Sequence, residues 1–501
     1  MRYLLAGVIF ALLVVIWAPQ LSSGQESTTP EPHPHAVTLT ACDTSTPITA
    51  SVPHLQELLP NCNYRTWFTD NTHYQPNPHY FGAYKFLPWG ADLYLGFGTA
   101  RPAESNGSLL AQFQNHALSG VGVLDEQGFI DMTPDVALPI IHIPGADPTN
   151  PALPGGSPWD LGNTYVFTPT TGLLTEHRDL PNVIHTWGIE STSQGLYAAV
   201  SSHLGDYETW TGEVFRSTDA GQNWTSIADK NSGVGDYRTY DIAQFDGALF
   251  AVWNDEYGQG CGLTKSTDGG ITWQRINAFS SYTTCRSRLF VYNNQLLVLG
   301  SARDGILALH TNGSVTPHLF SNFKAQDWIY NALAVDAQNR LYMLAEDGRI
   351  MRTTNLITWE TMAAADRDFI TLSYWPDQDK IVVADRGNVA RVWLLDPSNT
   401  PIMPPAAPAA SISISGSDVQ LQWPAQSGLT YQIYRNTEDP SFTPPIQSRY
   451  ASTSTGLWQD AGALAQEGKT YYEVRAINAA GEFSGVTQTL ARFTFALTPS
   501  E

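Results

Sequence analysis

The pattern Ser-Thr-Asp-x-Gly-x-x-Trp occurs twice, as STDAGQNW from Ser217 and STDGGITW from Ser266, 49 residues apart. Each copy follows a short apolar run, GEVFR and GLTK. Asp219 and Asp268 suit a turn whose backbone N–H groups are bound by a carboxylate. Gly221 and Gly270 suit the positive φ of such a turn. Trp224 and Trp273 then open the next strand, with rings large enough to pack between sheets. TTNLITW, from Thr353 to Trp359, is a degenerate copy with Asn355 in place of the aspartate and no glycine.

The rest of the middle of the chain repeats the same unit. GADLYLGFG, QGLYAAVSS, DGALFAVWN, NNQLLVLGS, QNRLYMLAE and QDKIVVADR are each a polar turn followed by aromatic and β-branched residues. The later ones recur every 40 to 52 residues. A period in this range marks a repeat array, and strands without intervening helices select a β-propeller. Residues 80–396 are read as six or seven four-stranded blades, an all-β fold.

The tryptophan-ended turns resemble the Asp-box, or BNR, repeats of the sialidase-like propeller superfamily. The resemblance implies structural roles for Asp219, Gly221, Trp224, Asp268, Gly270, Trp273 and Trp359 on the rim. It implies little about activity. Family sialidases carry an Arg-Ile-Pro motif and an arginine triad. Arg-Ile-Pro is absent here, and arginine is sparse before Ser217. A sialidase is therefore disfavoured.

The first 24 residues read as a signal peptide: Arg2, then the apolar run Tyr3–Ala18, then Pro19 and small residues. The alternative is an uncleaved anchor; no span is expected after cleavage, and in either case the mature chain is expected outside the cell. Residues 25–79 read as a disordered leader and N-terminal extension. Four cysteines, Cys42, Cys62, Cys261 and Cys285, allow three pairings. The local pairs Cys42–Cys62 and Cys261–Cys285 close the shortest loops. The net charge of −21 disfavours nucleic acid as a partner.

Residues 397–410, PSNTPIMPPAAPAA, are a Pro/Ala linker. Residues 411–497 alternate as about seven strands and resemble a fibronectin type III sandwich. Trp423 takes the place of the family's core tryptophan, with Tyr472, Val474 and Ala476 on the inward face. The family's corner tyrosine falls on Thr470 here, with Tyr471 beside it.

In a propeller the loop after each blade's second strand faces one end of the channel. Those loops carry Asp206 and Trp210; Trp253, Asp255 and Glu256; Arg303 and Asp304; Glu346 and Asp347; Asp385 and Arg386. Carboxylates with aromatic rings suit sugar binding. Calcium is the one ion these oxygens would take, and no other cofactor or metal is expected. Two close carboxyls would serve a glycoside hydrolase. Asp-Gly pairs are equally explained as hairpin turns. A second cluster, His142, Asp147, Trp159, Asp160, His185 and Trp187, borders an irregular insert. The expectation is a secreted, non-catalytic module binding an extracellular glycan or protein. The alternatives are a glycoside hydrolase and a surface-assembly or adhesion protein.

Overall fold

The computed structural model describes residue 42 and residues 52–494, apart from 61, 73–75, 100–106, 125, 127, 130, 146–160, 204–209, 236, 255–260, 280–287, 300–304, 319–322, 325–330, 403–404, 438–449, 466–467, 479–483 and 485–488. Residues 55–395 form seven four-stranded antiparallel sheets. Sheet 1 comprises Phe81–Trp89, Asp92–Thr99, Ser108–Gln114 and Ala117–Leu124. Sheet 2 comprises Thr133–Pro134, Ile141–Pro144, Leu161–Thr168 and Leu173–Pro181. Sheet 3 comprises Val183–Thr192, Gly195–His203, Trp210–Ser217 and Thr225–Ala228. Sheet 4 comprises Arg238–Phe245, Ala248–Asn254, Cys261–Ser266 and Gln274–Arg275. Sheet 5 comprises Leu289–Tyr292, Gln295–Leu299, Ile306–His310 and Val315–His318. Sheet 6 comprises Leu333–Val335, Leu341–Leu344, Arg349–Thr353 and Glu360–Ala364. Sheet 7 comprises Phe369–Trp375, Lys380–Asp385 and Val392–Leu395.

The fourth strand of sheet 7 is Leu55–Glu57, which pairs antiparallel with Val392–Leu395. This corrects the reading of residues 25–79 as lying outside the blades. Three residues are too few to carry a visible alternation, and their partner lies at the far end of the array. The following helix, Tyr64–Thr72, packs on sheet 1 through Tyr64 against Phe97 and Phe68 against Phe81, with ring centroids 5.7 and 5.2 Å apart. A disulfide joins Cys42 to Cys62 in front of that helix. The proposed partner pair includes Cys285, which lies outside the described residues.

Each neighbouring pair of sheets encloses its own apolar cluster. Tyr94 and Leu110 meet Ile141 and Ile143 between sheets 1 and 2. Ala199 and Val214 meet Ile242 and Leu249 between sheets 3 and 4. Leu297 and Ile306 meet Leu341 and Met343 between sheets 5 and 6. Phe86 and Leu95 meet Val382 and Ala384 between sheets 1 and 7. First and last sheets are thus neighbours, and the arrangement is a closed, propeller-like ring.

The two Ser-Thr-Asp turns join third to fourth strands. In the first, Ser217 Oγ donates to Asp219 Oδ1 at 2.8 Å, Asn223 N donates to the same oxygen at 2.9 Å, and Trp224 Nε1 donates to Gly221 O at 3.2 Å. In the second, Ser266, Asp268, Thr272, Trp273 and Gly270 repeat these bonds at 2.8, 2.9 and 3.0 Å. Hydrogen bonds hold both carboxyls down at about 2, with Asn223 the main donor to Asp219 and Thr272 to Asp268. Trp224 packs with Leu180 of sheet 2, and Trp273 packs on the cluster shared with sheet 3. Trp359, in the degenerate copy, packs on the cluster between sheets 5 and 6. Each ring therefore fastens its sheet to the preceding one.

Residues after the linker form a β-sandwich. One sheet orders Ser411–Ser415, Asp418–Gln422 and Leu457–Asp460. The other orders Ala451–Thr453, Thr430–Asn436, Gly468–Ile477 and Leu490–Thr494. Trp423, Tyr472, Val474 and Ala476 all lie in the core between them.

Candidate functional site

In an antiparallel sheet the start of the first strand lies beside the end of the second. Phe81 pairs with Thr99, Arg238 with Asn254, and Phe369 with Asp385. These ends, and the loops that follow the second strands, share one end of the ring.

Near that end the inner strands are kinked at one level. Register shifts fall between Ala83 and Lys85, Thr186 and Gly188, Thr239 and Asp241, and Phe369 and Thr371. The extra residues are Tyr84, Trp187, Tyr240 and Ile370, all in one buried cluster. Such bulges re-aim the next side chain. Here they turn positions 85, 188, 241 and 371 toward a common layer.

That layer takes one residue from each sheet or its leading edge. Lys85 forms an ion pair with Asp131. Arg288 Nη1 lies 3.5 Å from both Asp131 Oδ2 and Asp241 Oδ1. Asp241 Oδ2 also accepts from Leu289 N at 2.8 Å. Lys85 Nζ donates to Asn331 Oδ1 at 3.3 Å, and Asn331 bridges to Thr371. Gly188 supplies the seventh position, where a Cβ would stand 2.7 Å from Asp241 Oδ1 and 3.2 Å from Arg288 Nη1.

The two aspartates of the layer titrate differently. Burial would raise Asp131, but Lys85 and Arg288 outweigh it and hold the carboxyl below its ordinary value. Burial pushes Asp241 up to about 6 against the pull of Arg288, with Asp131 adding to the rise. Glu190, also on the inner strand of sheet 3, is pushed to about 7 by burial, and Asp241 and Asp131 reinforce the shift.

Around this layer guanidinium groups lie over rings. Arg238 stands 5.5 Å from the Trp187 ring and 4.7 Å from Tyr237. Arg275 stands 4.4 Å from Trp253, Arg367 4.9 Å from Trp393, and Arg386 5.4 Å from Tyr80. His185 stacks on Trp187 with centroids 4.4 Å apart. The carboxylates here face cations. Asp368 pairs with Lys324 and with Arg386, the latter at 2.6 Å. Asp385 accepts from Arg367 at 2.7 Å and from Trp393 Nε1 at 3.1 Å. Burial raises Asp385 to about 6 despite Arg367.

Several expected site residues have other partners. Asp385 is turned inward and buried, so it does not line an open face. Trp253 is 5% exposed, its ring under Arg275 and against Gly262. Arg386 is engaged by Asp368, and Glu346 is half-buried. Of Trp210 the backbone is described, paired with His203. Asp206, Asp255, Glu256, Arg303 and Asp304 lie outside the described residues. Of the second cluster, His142, His185 and Trp187 are described. His142 Nε2 meets Asp135 Oδ2 at 2.9 Å beside the hairpin of sheet 2, and His185 stacks on Trp187. Asp147, Trp159 and Asp160 lie outside the described residues.

Sequence reading missed all seven positions: Lys85, Asp131, Gly188, Asp241, Arg288, Asn331 and Thr371. A signal for four of them exists in Tyr84-Lys85-Phe86, Trp187-Gly188-Ile189, Tyr240-Asp241-Ile242 and Tyr330-Asn331-Ala332. The aromatic-x-apolar triplet recurs in four of the seven sheets near the inner strand's start, and none surrounds Asp131 or Arg288.

Among the described residues no helix is long and apolar enough to cross a membrane, and no group of three or more His, Cys, Asp or Glu is placed to hold a metal.

No family model matches the chain. It is 30% identical over 114 residues to a xyloglucanase of Hypocrea jecorina, covering 20% of this chain and 13% of that protein. It is 26% identical over 218 residues to a xyloglucanase of Paenibacillus sp, covering 42% of this chain and 19% of that protein. The chain thus spans less than a fifth of either curated relative. Among solved structures it is similar to the extracellular domain of a hybrid two-component system of B. thetaiotaomicron. The TM-score is 0.46 at 11% identity, covering 89% of this chain and 59% of that one. It is also similar to a virginiamycin B lyase of Staphylococcus aureus, with TM-score 0.44 at 15% identity, covering 68% and 98% of the two chains.

Proposed function

We propose that this is a secreted, seven-bladed Asp-box propeller carrying a fibronectin type III-like sandwich, and that it binds carbohydrate at the end where the inner strands begin. In this reading residues 1–24 are a signal peptide and the blades run from Leu55 to 396. Residues 397–410 are the linker and 411–497 the end module. The disulfide and the apolar N-terminal run support an extracellular location. The turns at Asp219 and Asp268 support the Asp-box assignment.

One observation carries the binding reading. The half-buried rings of Tyr80 and Tyr237, each beside a guanidinium, Arg386 and Arg238, suit the faces and hydroxyls of sugars, while Asp131, Asp368 and Asp385 are each neutralised by a cation. A glycoside hydrolase needs a carboxyl free to give or take a proton at the scissile bond. The local similarity to two xyloglucanases favours a glucan-type polysaccharide as the ligand class.

The same similarity supports a second reading, hydrolysis. Asp255 and Glu256 are then the candidate acid and nucleophile, because they are neighbouring carboxylates in the segment after Ala248–Asn254. A glycan array, xyloglucan retention and a panel of chromogenic glycosides separate the two. Retention without turnover is the expected result. Turnover that disappears in Asp255→Asn or Glu256→Gln would replace binding with hydrolysis.

A further inference from the structure

The C-terminal sandwich buries a face that a free module would show to water. Strands Thr430–Asn436 and Gly468–Ile477 are neighbours in its four-stranded sheet. Their inward residues, Ile433, Tyr472 and Val474, fill the core. Their outward residues are Gln432, Tyr434, Tyr471, Glu473 and Arg475, and none exceeds 6% exposure. On the opposite sheet the outward residues Ser411, Ser413, Gln422 and Gln459 are exposed. Charged and amide groups are rarely buried unless something polar meets them.

A partner for that face comes from the ring. Arg475 Nη1 lies 3.6 Å from Asp347 Oδ2, and both residues are buried. Asp347 sits in the loop after the second strand of sheet 6, at the end already described as the candidate site. It also accepts from Arg349 Nε at 2.9 Å. The Arg475 guanidinium stands 5.4 Å from the Tyr434 ring, so its aim is fixed from below. The linker is held on the same sheet. Arg352 Nη1 donates to Pro397 O at 2.9 Å, and Ile402 N donates to Thr361 O at 2.7 Å.

We infer that the sandwich is docked rather than tethered, latched by Arg475 on Asp347, and that it forms a fixed wall of the ligand-binding end above sheet 6. The second half rests on the carbohydrate reading above; the first does not. A flexible spacer would leave its polar face solvated and its linker unpinned. The docked module closes one sector of the end and leaves the rest as a one-sided cleft for a chain-like glycan.

The test uses the full chain. Small-angle scattering and limited proteolysis of residues 397–410 report docking, and affinity electrophoresis in xyloglucan reports the wall. Arg475→Gln and Asp347→Asn are compared with wild type, with circular dichroism as the folding control. The expected result is a compact wild type, linker cleavage about tenfold faster in both variants, and weaker xyloglucan retention. Cleavage and radius of gyration equal in all three would overturn docking. Released modules with unchanged retention would overturn the wall alone. A wild type that retains no glycan would sink the carbohydrate reading, while scattering and proteolysis would still judge the latch. If both variants fail to fold, wild-type linker cleavage at the rate of an unstructured peptide overturns docking.

Discussion

Gly188 lies directly beneath Asp241: a β-carbon on the glycine would stand 2.7 Å from the aspartate Oδ1. The ion pair of Asp241 with Arg288 occupies the space a side chain would take. Gly188→Ala must therefore displace a buried pair that ties sheet 4 to sheet 5. A loss of about 2–4 kcal/mol is expected. Gly172→Ala is the control, because its φ of +69° is unfavourable but nothing lies within 4 Å. It should cost only about 1 kcal/mol. Equal losses in chemical denaturation would refute a special role for position 188.

Stability should fall as the pH rises from about 4 to 7. Burial raises Asp241 and Asp385 to about 6, and Glu57, Asp179, Glu190 and Glu213 to about 7. Their unfolded values lie near 4, so between pH 4 and 7 the folded chain holds more protons than the unfolded one. Stability then declines across that window. Asp219, Asp268 and Asp396, held at about 2, act oppositely and fail only in stronger acid. The melting temperature should therefore peak near pH 4. Asp241→Asn should narrow the gap between pH 5 and pH 8, and a gap of unchanged width would refute the assignment.

The two Ser-Thr-Asp turns offer a matched comparison. Ala220 and Gly269 hold equivalent places with φ of +61° and +73°. Ala220→Gly should gain up to about 1 kcal/mol by removing left-handed strain. Gly269→Ala should lose about as much. Gly270→Ala should lose more, because its β-carbon would stand 2.5 Å from Ile227 Cδ1 on sheet 3. Thermal melts of the three variants check the order.

Replacing Cys42 and Cys62 by serine opens a loop with a sequence separation of 20. A cost of about 3 kcal/mol follows from loop entropy. The loss should appear first where Leu55–Glu57 leaves Val392–Leu395, read by hydrogen exchange of those amides. Exchange unchanged at 55–57 would place the effect elsewhere.

The Ser-Thr-Asp turns and the strand repeats are plain in the sequence, because an aspartate, a glycine and a tryptophan at fixed spacing satisfy local demands. The central layer is written just as regularly, yet its logic is invisible one sheet at a time. Lys85 looks like a surface lysine until Asp131 is set beside it, and Gly188 looks like a strand defect until Asp241 fills its space. The loops after the second strands are less legible. A turn pattern does not show that Asp385 meets Arg367 or that Arg275 lies over the Trp253 ring. Nothing in the three residues Leu55–Glu57 announces a strand, since their partner is remote.

That closing strand also orders events in time. Leu55–Glu57 leaves the ribosome before the other described strands of the ring, and Val392–Leu395 after them. The early strand must wait, unpaired, until more than three hundred further residues have been made and delivered. Completion of the circle therefore doubles as a proof that every sheet of the ring has been made, and a chain cut short before Val392 is left with an open seam.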